Sequence, residues 1–316
     1  MALNDAVSLA SSAPPEGHPR LPDPLPRFRY VVAIDWSGAV GTRHRGIALA
    51  LAEMTGGPPR LVPPPSPRGW ARAEVLDWLL TAAPAGTLAG FDMGISLAFA
   101  DCAAYFPGWS ETPPDARSLW SLVETLCVHE ADIGAATFAD HAEASRHFRR
   151  HGKRCGDLFA PGAGRMRVTE AAQAATGARP TSNFNLVGAS QVGKASLAGM
   201  RLLHRLPPQV PVWPIDPIAA PHPRLAIVEI WTTIAAMAAG RRPGASKIRD
   251  GAGLGRALAT LGSPPADTQA MLSDHAADAL VTAAWLRRAA TDPALWSPPA
   301  LTAALARTEG WTFGVT

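Results

Sequence analysis

Four acidic residues in this sequence stand where a strand or a helix is expected to begin or end. Asp35 and Asp92 each end an apolar run that is typical of a buried strand. Glu229 lies within the apolar segment AIVEIW, and Asp278 lies near the start of the helical segment SDHAADALVTAAW. Parallel strands share one edge at their carboxyl ends, where ligands bind in open α/β folds. We therefore expect Asp35 and Asp92 to project at the same edge of a sheet.

The helical segment adds further groups that can bind a metal. Asp274 and Asp278 are four residues apart, and His275 precedes Asp278 by three, so all three can share one helix face. Carboxylate oxygens with few histidines favour Mg²⁺ or Mn²⁺. Two such ions ~3.5–4 Å apart can bind the attacking and leaving oxygens of a phosphodiester. The pattern predicts a metal-dependent phosphodiester hydrolase.

The predicted roles divide between catalysis and metal binding. The predicted catalytic residues are Asp35, Asp92, Glu229 and Asp278. The predicted metal ligands are Asp35, Asp92, Asp278, His275 and Asp274.

Each acid also has a structural alternative. Asp35 could form a turn with Ser37-Gly38, and Asp92 could cap a following helix. A lone carboxylate at Glu229 would be costly to bury, so it could instead pair with an arginine. Asp274 could be the N-cap of its helix.

A basic segment at 143–167 contains seven Lys and Arg residues against two acids. Such a surface suits the phosphate backbone of a nucleic acid, and Phe148 and Phe159 could offer stacking surfaces. The expected phosphate contacts are Arg149, Arg150, Lys153 and Arg154. The alternative is a solvated loop without a ligand.

The segment 188–196, GASQVGKAS, nearly spells the phosphate-binding loop GxxxxGK[ST]. Ala195 stands where the magnesium-binding hydroxyl belongs, and Ser196 comes one residue late. The sequence favours the alternative, an ordinary glycine-rich start of a helix, and a nucleotide hydrolase of this type is the third function hypothesis.

The elements that must position these residues alternate between strands and helices. Strands are expected at 30–34, 46–53, 60–62, 88–92, 210–213 and 225–230, and helices at 70–82, 95–104, 116–131, 194–205, 252–261 and 274–290. A hairpin followed by strand–helix alternation predicts an α/β domain, with a mixed sheet covered by helices on both faces. Residues 1–28 read as a flexible proline-rich arm, and residues 29–316 as a single domain with an insertion at about 132–200.

Composition restricts the class of protein. The chain has 316 residues, of which 47% are hydrophobic and 17% charged, as in globular proteins. Three cysteines without a CxxC pair exclude a disulfide framework or a disulfide-linked partner. No secretory signal and no stretch of ~20 apolar residues is apparent, so we expect a cytoplasmic protein without a membrane partner.

The order of these motifs resembles that of RNase H-like nucleases: strand–Asp, hairpin, strand–Asp, VE in a late strand, and a helix opening with D-x-x-x-D-A-L. SDHAADALVTAAW is similar to the last helix of RuvC-type Holliday junction resolvases. The whole layout most resembles the bacterial family catalogued as domain of unknown function 429, whose members are predicted nucleases.

The resemblance implies an RNase H-like mixed sheet of about five strands, the first three antiparallel, with helices on both faces. It covers roughly residues 29–130 and 194–290. Asp35, Asp92, Glu229 and Asp278 match the family's acidic positions, and His275 or Asp274 matches its additional helix ligand. The chain departs from the pattern in FDMG, which replaces D-x-P, and in EIWT, which lacks the proline. These departures favour the second hypothesis, a catalytically inactive RNase H-like binding module.

Overall fold

A mixed six-stranded sheet forms the centre of the molecule in a computed structural model. The model describes residues 27–152, 154–188, 192–218, 222–242, 244, 246–267 and 272–316. The strands are β1 (Tyr30–Asp35), β2 (Ala48–Glu53), β3 (Gly56–Val62), β4 (Thr87–Asp92), β5 (Val212–Trp213) and β6 (Leu225–Ile230). Their order is β3-β2-β1-β4-β6-β5. The predicted α/β class is confirmed, but the count of five strands is wrong, because two-residue β5 pairs with β6 as a sixth strand.

The first three strands are antiparallel and the remaining pairings are parallel. β2 pairs antiparallel with both β1 and β3, whereas β4 runs parallel to β1 and to β6. The apolar runs of β1, β4 and β6 are buried almost throughout, as continuous apolar strands between two helical layers should be. The carboxyl ends of β1, β4 and β6 therefore meet at one edge.

Helices cover both faces of the sheet. The helices are α1 (Arg72–Asp77), α2 (Ala116–Cys127), α3 (Ala136–Asp140), α4 (Val168–Ala175), α5 (Val192–His204), α6 (Thr232–Ala238), α7 (Gly251–Thr260), α8 (Asp274–Ala289), α9 (Pro293–Trp296) and α10 (Ala303–Thr308). Val32 and Ile34 face a core that contains α1, α2 and α5, whereas Val31 and Ala33 face a core with α6, α7 and α8. Alternate residues of β1 thus serve two separate cores.

The helix expected at 95–104 does not form. The backbone amide of Ile95 donates to Glu229 Oε2 at 2.9 Å, and those of Phe99 and Ala100 donate to Glu309 Oε1 at 2.7 and 2.8 Å. Ala103 also adopts a positive φ of 51°. These backbone amides donate to buried carboxylates from distant parts of the chain, so tertiary contacts override the local preference for a helix.

The insertion is part of the core. Phe138, Phe148 and Phe184 from this region are each 0–1% exposed and pack against one another. The expectation that Phe148 offers a stacking surface to nucleic acid is therefore wrong, because its ring is already buried.

The last residue of the predicted N-terminal arm also packs in the core. Phe28 stacks on Trp296 with ring centroids 6.1 Å apart.

Two further observations concern the described residues. All three cysteines are free thiols. No helix in the described ranges is both long and apolar enough to cross a membrane. Residues 1–26, which form most of the predicted arm, lie outside the described part of the chain.

Candidate active site

Two of the predicted acids lie side by side at the carboxyl edge of the sheet. The parallel register pairs Ile34 with Phe91, so Asp35 and Asp92 occupy neighbouring positions directly after that pair. Both follow the residue alternation that faces α8, as Val31, Ala33 and Leu88 do. The two carboxylates therefore share one face of the sheet, as the two apolar runs predict.

The first turns of α8 bring further charged groups to this pair. His275 Nδ1 lies 3.2 Å from Asp35 Oδ2, and this hydrogen bond raises the pKa of His275. Burial raises the pKa of the Asp35 carboxyl, although His275 opposes that rise, and Asp278 contributes to it through its like charge. The structure thus brings Asp35, Asp92, His275 and Asp278 into one electrostatic cluster, which we call the acid cluster.

Asp92 has the most perturbed carboxyl of the acid cluster. Burial, with the nearby charges of Asp35 and Asp278, raises its pKa to about 7, against hydrogen bonds that favour its charged form. These bonds come from Thr232, whose amide donates at 3.2 Å and whose hydroxyl donates at 3.1 Å. The helix that Asp92 was alternatively expected to cap is absent, so its orientation depends on α6 instead.

Lys247 is a member of this site that the sequence analysis missed. Its ammonium lies 2.5 Å from Asp278 Oδ2. The hydrogen bond with Asp278 raises the pKa of Lys247 despite burial, and the charges of Asp35 and Asp92 act in the same direction. A cationic side chain therefore already lies among these acids. Within the described ranges, no three His, Cys, Asp or Glu side chains are arranged so that they could hold a metal ion.

Asp274 lies at the margin of the acid cluster. Its carboxylate is 3.2 Å from Arg249 Nε in a mostly exposed ion pair. Asp274 is not the N-cap of α8, because Ser273 holds that position and accepts the amide of Ala276 at 3.1 Å.

Glu229 projects to the opposite face of the sheet from Asp35 and Asp92. In the register of β4 and β6, Glu229 pairs with Phe91 and Ile230 pairs with Asp92. Arg167 binds the carboxylate of Glu229 through two nitrogens at 2.5 and 2.8 Å. The structure places Glu229 in the arginine pair that was its structural alternative.

Arg167 belongs to a buried network of charged side chains. Its guanidinium makes five hydrogen bonds, to both oxygens of Glu229, to the Glu309 carbonyl, and twice to Glu170 Oε1. Burial opposes its charge, but the carboxylates of Glu170 and Glu229 raise the pKa of Arg167 well above its usual value. All five donors are satisfied, which is the condition under which a buried arginine is tolerated.

The acid cluster opens into a cleft of about 770 Å³. Its lining includes the exposed side chains of Arg45 and Arg179, together with the segment Ser37-Gly38-Ala39-Val40. A cleft with acids at its floor and arginines at its rim is suited to a ligand that carries phosphates. The sequence signal for these arginines is weak, because arginine is abundant throughout the chain.

The four predicted phosphate contacts have different surroundings. Arg149 is exposed, whereas Arg150 and Arg154 both form ion pairs with Asp140, at 2.7 and 3.4 Å. Lys153 lies outside the described residues.

The described residues of the segment 188–196 do not favour a nucleotide-binding loop. Residues 189–191 lie outside the described part of the chain, and Lys194 is already within α5. Ser196 is fully buried and its hydroxyl bonds to Asn183, the Val192 carbonyl and the Gly94 amide. That hydroxyl has no room for a magnesium ion, which argues against the third hypothesis.

The raised pKa of Asp92 predicts a pH-dependent contribution to stability. The native state binds this proton more tightly than the unfolded chain, so the stabilisation is lost as pH rises from about 4 to about 7. Asp92→Asn removes that titration. Without divalent metal, the Tm of the variant should rise relative to wild type across this pH range. Thermal melts in EDTA at a series of pH values measure the Tm difference between the variant and wild type, with the exposed Asp77→Asn as control. A Tm difference that stays constant with pH would contradict the raised pKa of Asp92.

No protein family, curated protein sequence or solved structure matches the chain in comparisons with known proteins.

Proposed function

We propose that this protein is an RNase H-like phosphodiester hydrolase that acts on nucleic acid with Mg²⁺ or Mn²⁺. The observation that carries the proposal is the juxtaposition of Asp35 and Asp92 at the ends of neighbouring parallel strands, beneath His275 and Asp278 of α8. The sheet order β3-β2-β1-β4-β6, with the first three strands antiparallel, agrees with the proposed fold.

The acid cluster has the donor chemistry of a divalent-metal site, but metal binding would require its carboxylates to approach one another, because within the described ranges they are not arranged to hold an ion. Asp35, Asp92 and Asp278 offer only oxygen atoms, and burial, with repulsion between the carboxylates, raises the pKa of Asp35 and Asp92. A divalent cation would relieve this repulsion better than one ammonium can, because it carries twice the charge. In this proposal the ammonium of Lys247 leaves Asp278 when the metal binds, since both cannot occupy the same carboxylate oxygen.

In the proposed hydrolase, the residues of the cleft would have separate roles in binding metal, orienting Asp35 and binding phosphate. Asp35, Asp92 and Asp278 would hold the metal, which would supply Lewis-acid chemistry for phosphodiester hydrolysis. His275 would orient Asp35 through their hydrogen bond, and Arg45 and Arg179 would bind phosphates along the cleft. Glu229 has no part in metal binding in this proposal, because Arg167 occupies its carboxylate.

The second candidate is a binding module that retains the fold without catalysis. The ion pair between Lys247 and Asp278 favours it, because a permanent ammonium in the cluster would replace the metal. The two candidates differ in whether manganese binds. A binding module would show nucleic-acid affinity that is independent of divalent metal.

The test combines metal binding with cleavage of labelled polynucleotides. We expect millimolar Mn²⁺ to raise the Tm, because a ligand that binds only the native state stabilises it. We also expect Mn²⁺ or Mg²⁺, but not EDTA, to support cleavage of single-stranded, duplex or branched DNA or RNA. Asp35→Asn, purified in parallel, controls for a contaminating nuclease. Absence of both a Tm shift and metal-dependent cleavage would exclude the hydrolase.

A further inference from the structure

A second cleft lies beside the acid-cluster cleft and shares the segment Gly38-Ala39-Val40 with it. This second cleft has a volume of about 380 Å³, within the roughly 300–1,000 Å³ range of small-ligand sites. Gly38 packs so closely on the backbone of Lys194 and Ala195 that a Cβ there would clash. Trp36 Nε1 donates to the Ala195 carbonyl at 3.1 Å. These contacts fix the position of α5, which lines the second cleft, relative to the acid cluster.

One wall of the second cleft is apolar and built from small side chains. It is formed by residues of the segment around α3, of α5 and of the chain before α5: Ala131, Ala135, Ala139, Leu186, Leu197 and Ala198. Val40, at the boundary between the two clefts, is 89% exposed. Alanine side chains leave room for a flat group to approach the backbone of α3 and α5. This wall offers a ligand apolar contact area but no hydrogen-bonding side chain.

The rest of the second cleft carries cations that lack a full set of partners. Lys194 is partly buried, burial lowers its pKa, and no carboxylate or hydrogen-bond acceptor contacts it among the described residues. Arg150 Nε is buried and has no hydrogen-bond partner there either. Asp140 is shared between Arg150 and Arg154, so one carboxylate serves two cations. The buried Arg72 forms an ion pair with Asp132 at 3.7 Å, and Glu130 also acts on Arg72 through its charge.

We propose that the second cleft binds the nucleotide next to the phosphodiester that is cleaved. In this arrangement Lys194 and Arg150 bind its phosphate, and its base packs on the wall formed by α3 and α5. This inference rests on the proposed function, since the shared segment Gly38-Ala39-Val40 lets one polynucleotide strand pass from one cleft to the other.

The two halves of the second cleft together favour a nucleotide over other ligands. A half-buried, unpaired ammonium is costly, and an anion removes that cost. An inorganic anion would satisfy Lys194 but would leave the apolar wall unused. A purely apolar ligand would bury Lys194 further without a partner. A nucleotide carries both a phosphate for the cations and a flat, largely apolar ring for the apolar residues of the lining.

The proposal is tested by measuring the binding of 5′-AMP, adenosine and inorganic phosphate in EDTA, by calorimetry or NMR titration. Lys194→Met should weaken the binding of 5′-AMP about tenfold, the usual effect of one charge-assisted contact, and should leave the binding of adenosine unchanged. Ala135→Phe fills the apolar side of the cleft, so it should weaken the binding of 5′-AMP and adenosine but not that of phosphate. Arg256→Met, an exposed cation on α7, should change nothing.

Two controls separate the failure of this inference from the failure of the proposed function. Asp35→Asn should leave 5′-AMP binding intact, because the acid cluster takes no part in it. Lys194→Met should melt no lower than wild type, because it removes a cation that burial disfavours. The inference is overturned if 5′-AMP does not bind at millimolar concentration, or if Lys194→Met and Ala135→Phe both leave its affinity unchanged. If wild type binds 5′-AMP but shows no metal-dependent cleavage, the proposed function is overturned and the second cleft remains a nucleotide-binding site without a neighbouring cleavage site.

Discussion

Replacing Arg167 by methionine should lower the free energy of unfolding by about 3–5 kcal/mol. The guanidinium is 2% exposed and supplies five hydrogen bonds to its surroundings. Without it, the carboxylates of Glu170 and Glu229 would remain buried beside each other with like charges. Burial already raises the pKa of Glu170, so removal of its cation would raise that pKa further. The loss comes from the two carboxylates left unpaired more than from the arginine itself.

The matched control for Arg167→Met also neutralises the two carboxylates that Arg167 binds. The triple variant Arg167→Met, Glu170→Gln, Glu229→Gln leaves neither carboxylate charged without its cation, so it should recover much of the stability lost by Arg167→Met. Urea unfolding of the single and triple variants, with the m-value checked for constancy, measures both effects. A single variant within about 1 kcal/mol of wild type would show that water reaches the network and that the pair is not buried.

The hydrogen bonds of Glu229 indicate a structural role for its carboxylate. In the structure this carboxylate also accepts the hydroxyl of Thr312 at 2.5 Å and the amide of Ile95 at 2.9 Å. Its three partners, Arg167, Ile95 and Thr312, connect β6 to the chain before α4, the segment after β4 and the C-terminal segment. Such a carboxylate stabilises the edge of the sheet on which the acid cluster lies. We therefore expect Glu229→Gln to affect stability, and to affect cleavage only through it.

The sequence was sufficient to place the acids that follow regular elements. Asp35 and Asp92 end apolar runs long enough to be strands, and parallel pairing then brings them together. His275 and Asp278 share a face of α8 because helical spacing dictates it. These predictions depend only on local periodicity and on the edge that parallel strands share.

The features that could not be predicted depend on contacts between distant residues. The register of β4 and β6 decides that Glu229 and Asp92 face opposite sides of the sheet, and no local pattern encodes that register. Arg167 reaches Glu229 from a region without periodicity. Lys247 comes from a segment without regular structure in its described part, and its approach to Asp278 follows from tertiary packing alone.

Asp35→Asn should abolish the response to metal while leaving the metal-free protein intact. The Asp35 carboxyl is 7% exposed, its pKa is raised by burial and by Asp278, and its only hydrogen-bonding side-chain partner in the described chain is His275. Asparagine keeps the shape and one oxygen but removes a charge from a site of mutual repulsion. In EDTA the variant should therefore melt no lower than wild type.

With millimolar Mn²⁺, the Tm of wild type should rise and that of Asp35→Asn should change little, because stabilisation scales with RT ln(1 + [L]/Kd). Cleavage should fall on the order of a hundredfold or more, since a displaced metal no longer aligns the attacking and leaving oxygens. Asp278→Asn should behave like Asp35→Asn, and the exposed Asp77→Asn should match wild type throughout.

Lys247→Met separates the two candidate functions. This variant should strengthen the response to Mn²⁺ if the ammonium competes with metal for Asp278. If Mn²⁺ stabilises wild type, Asp35→Asn and Asp278→Asn equally, and both variants melt well below wild type in EDTA, these aspartates are structural and the hydrolase proposal fails.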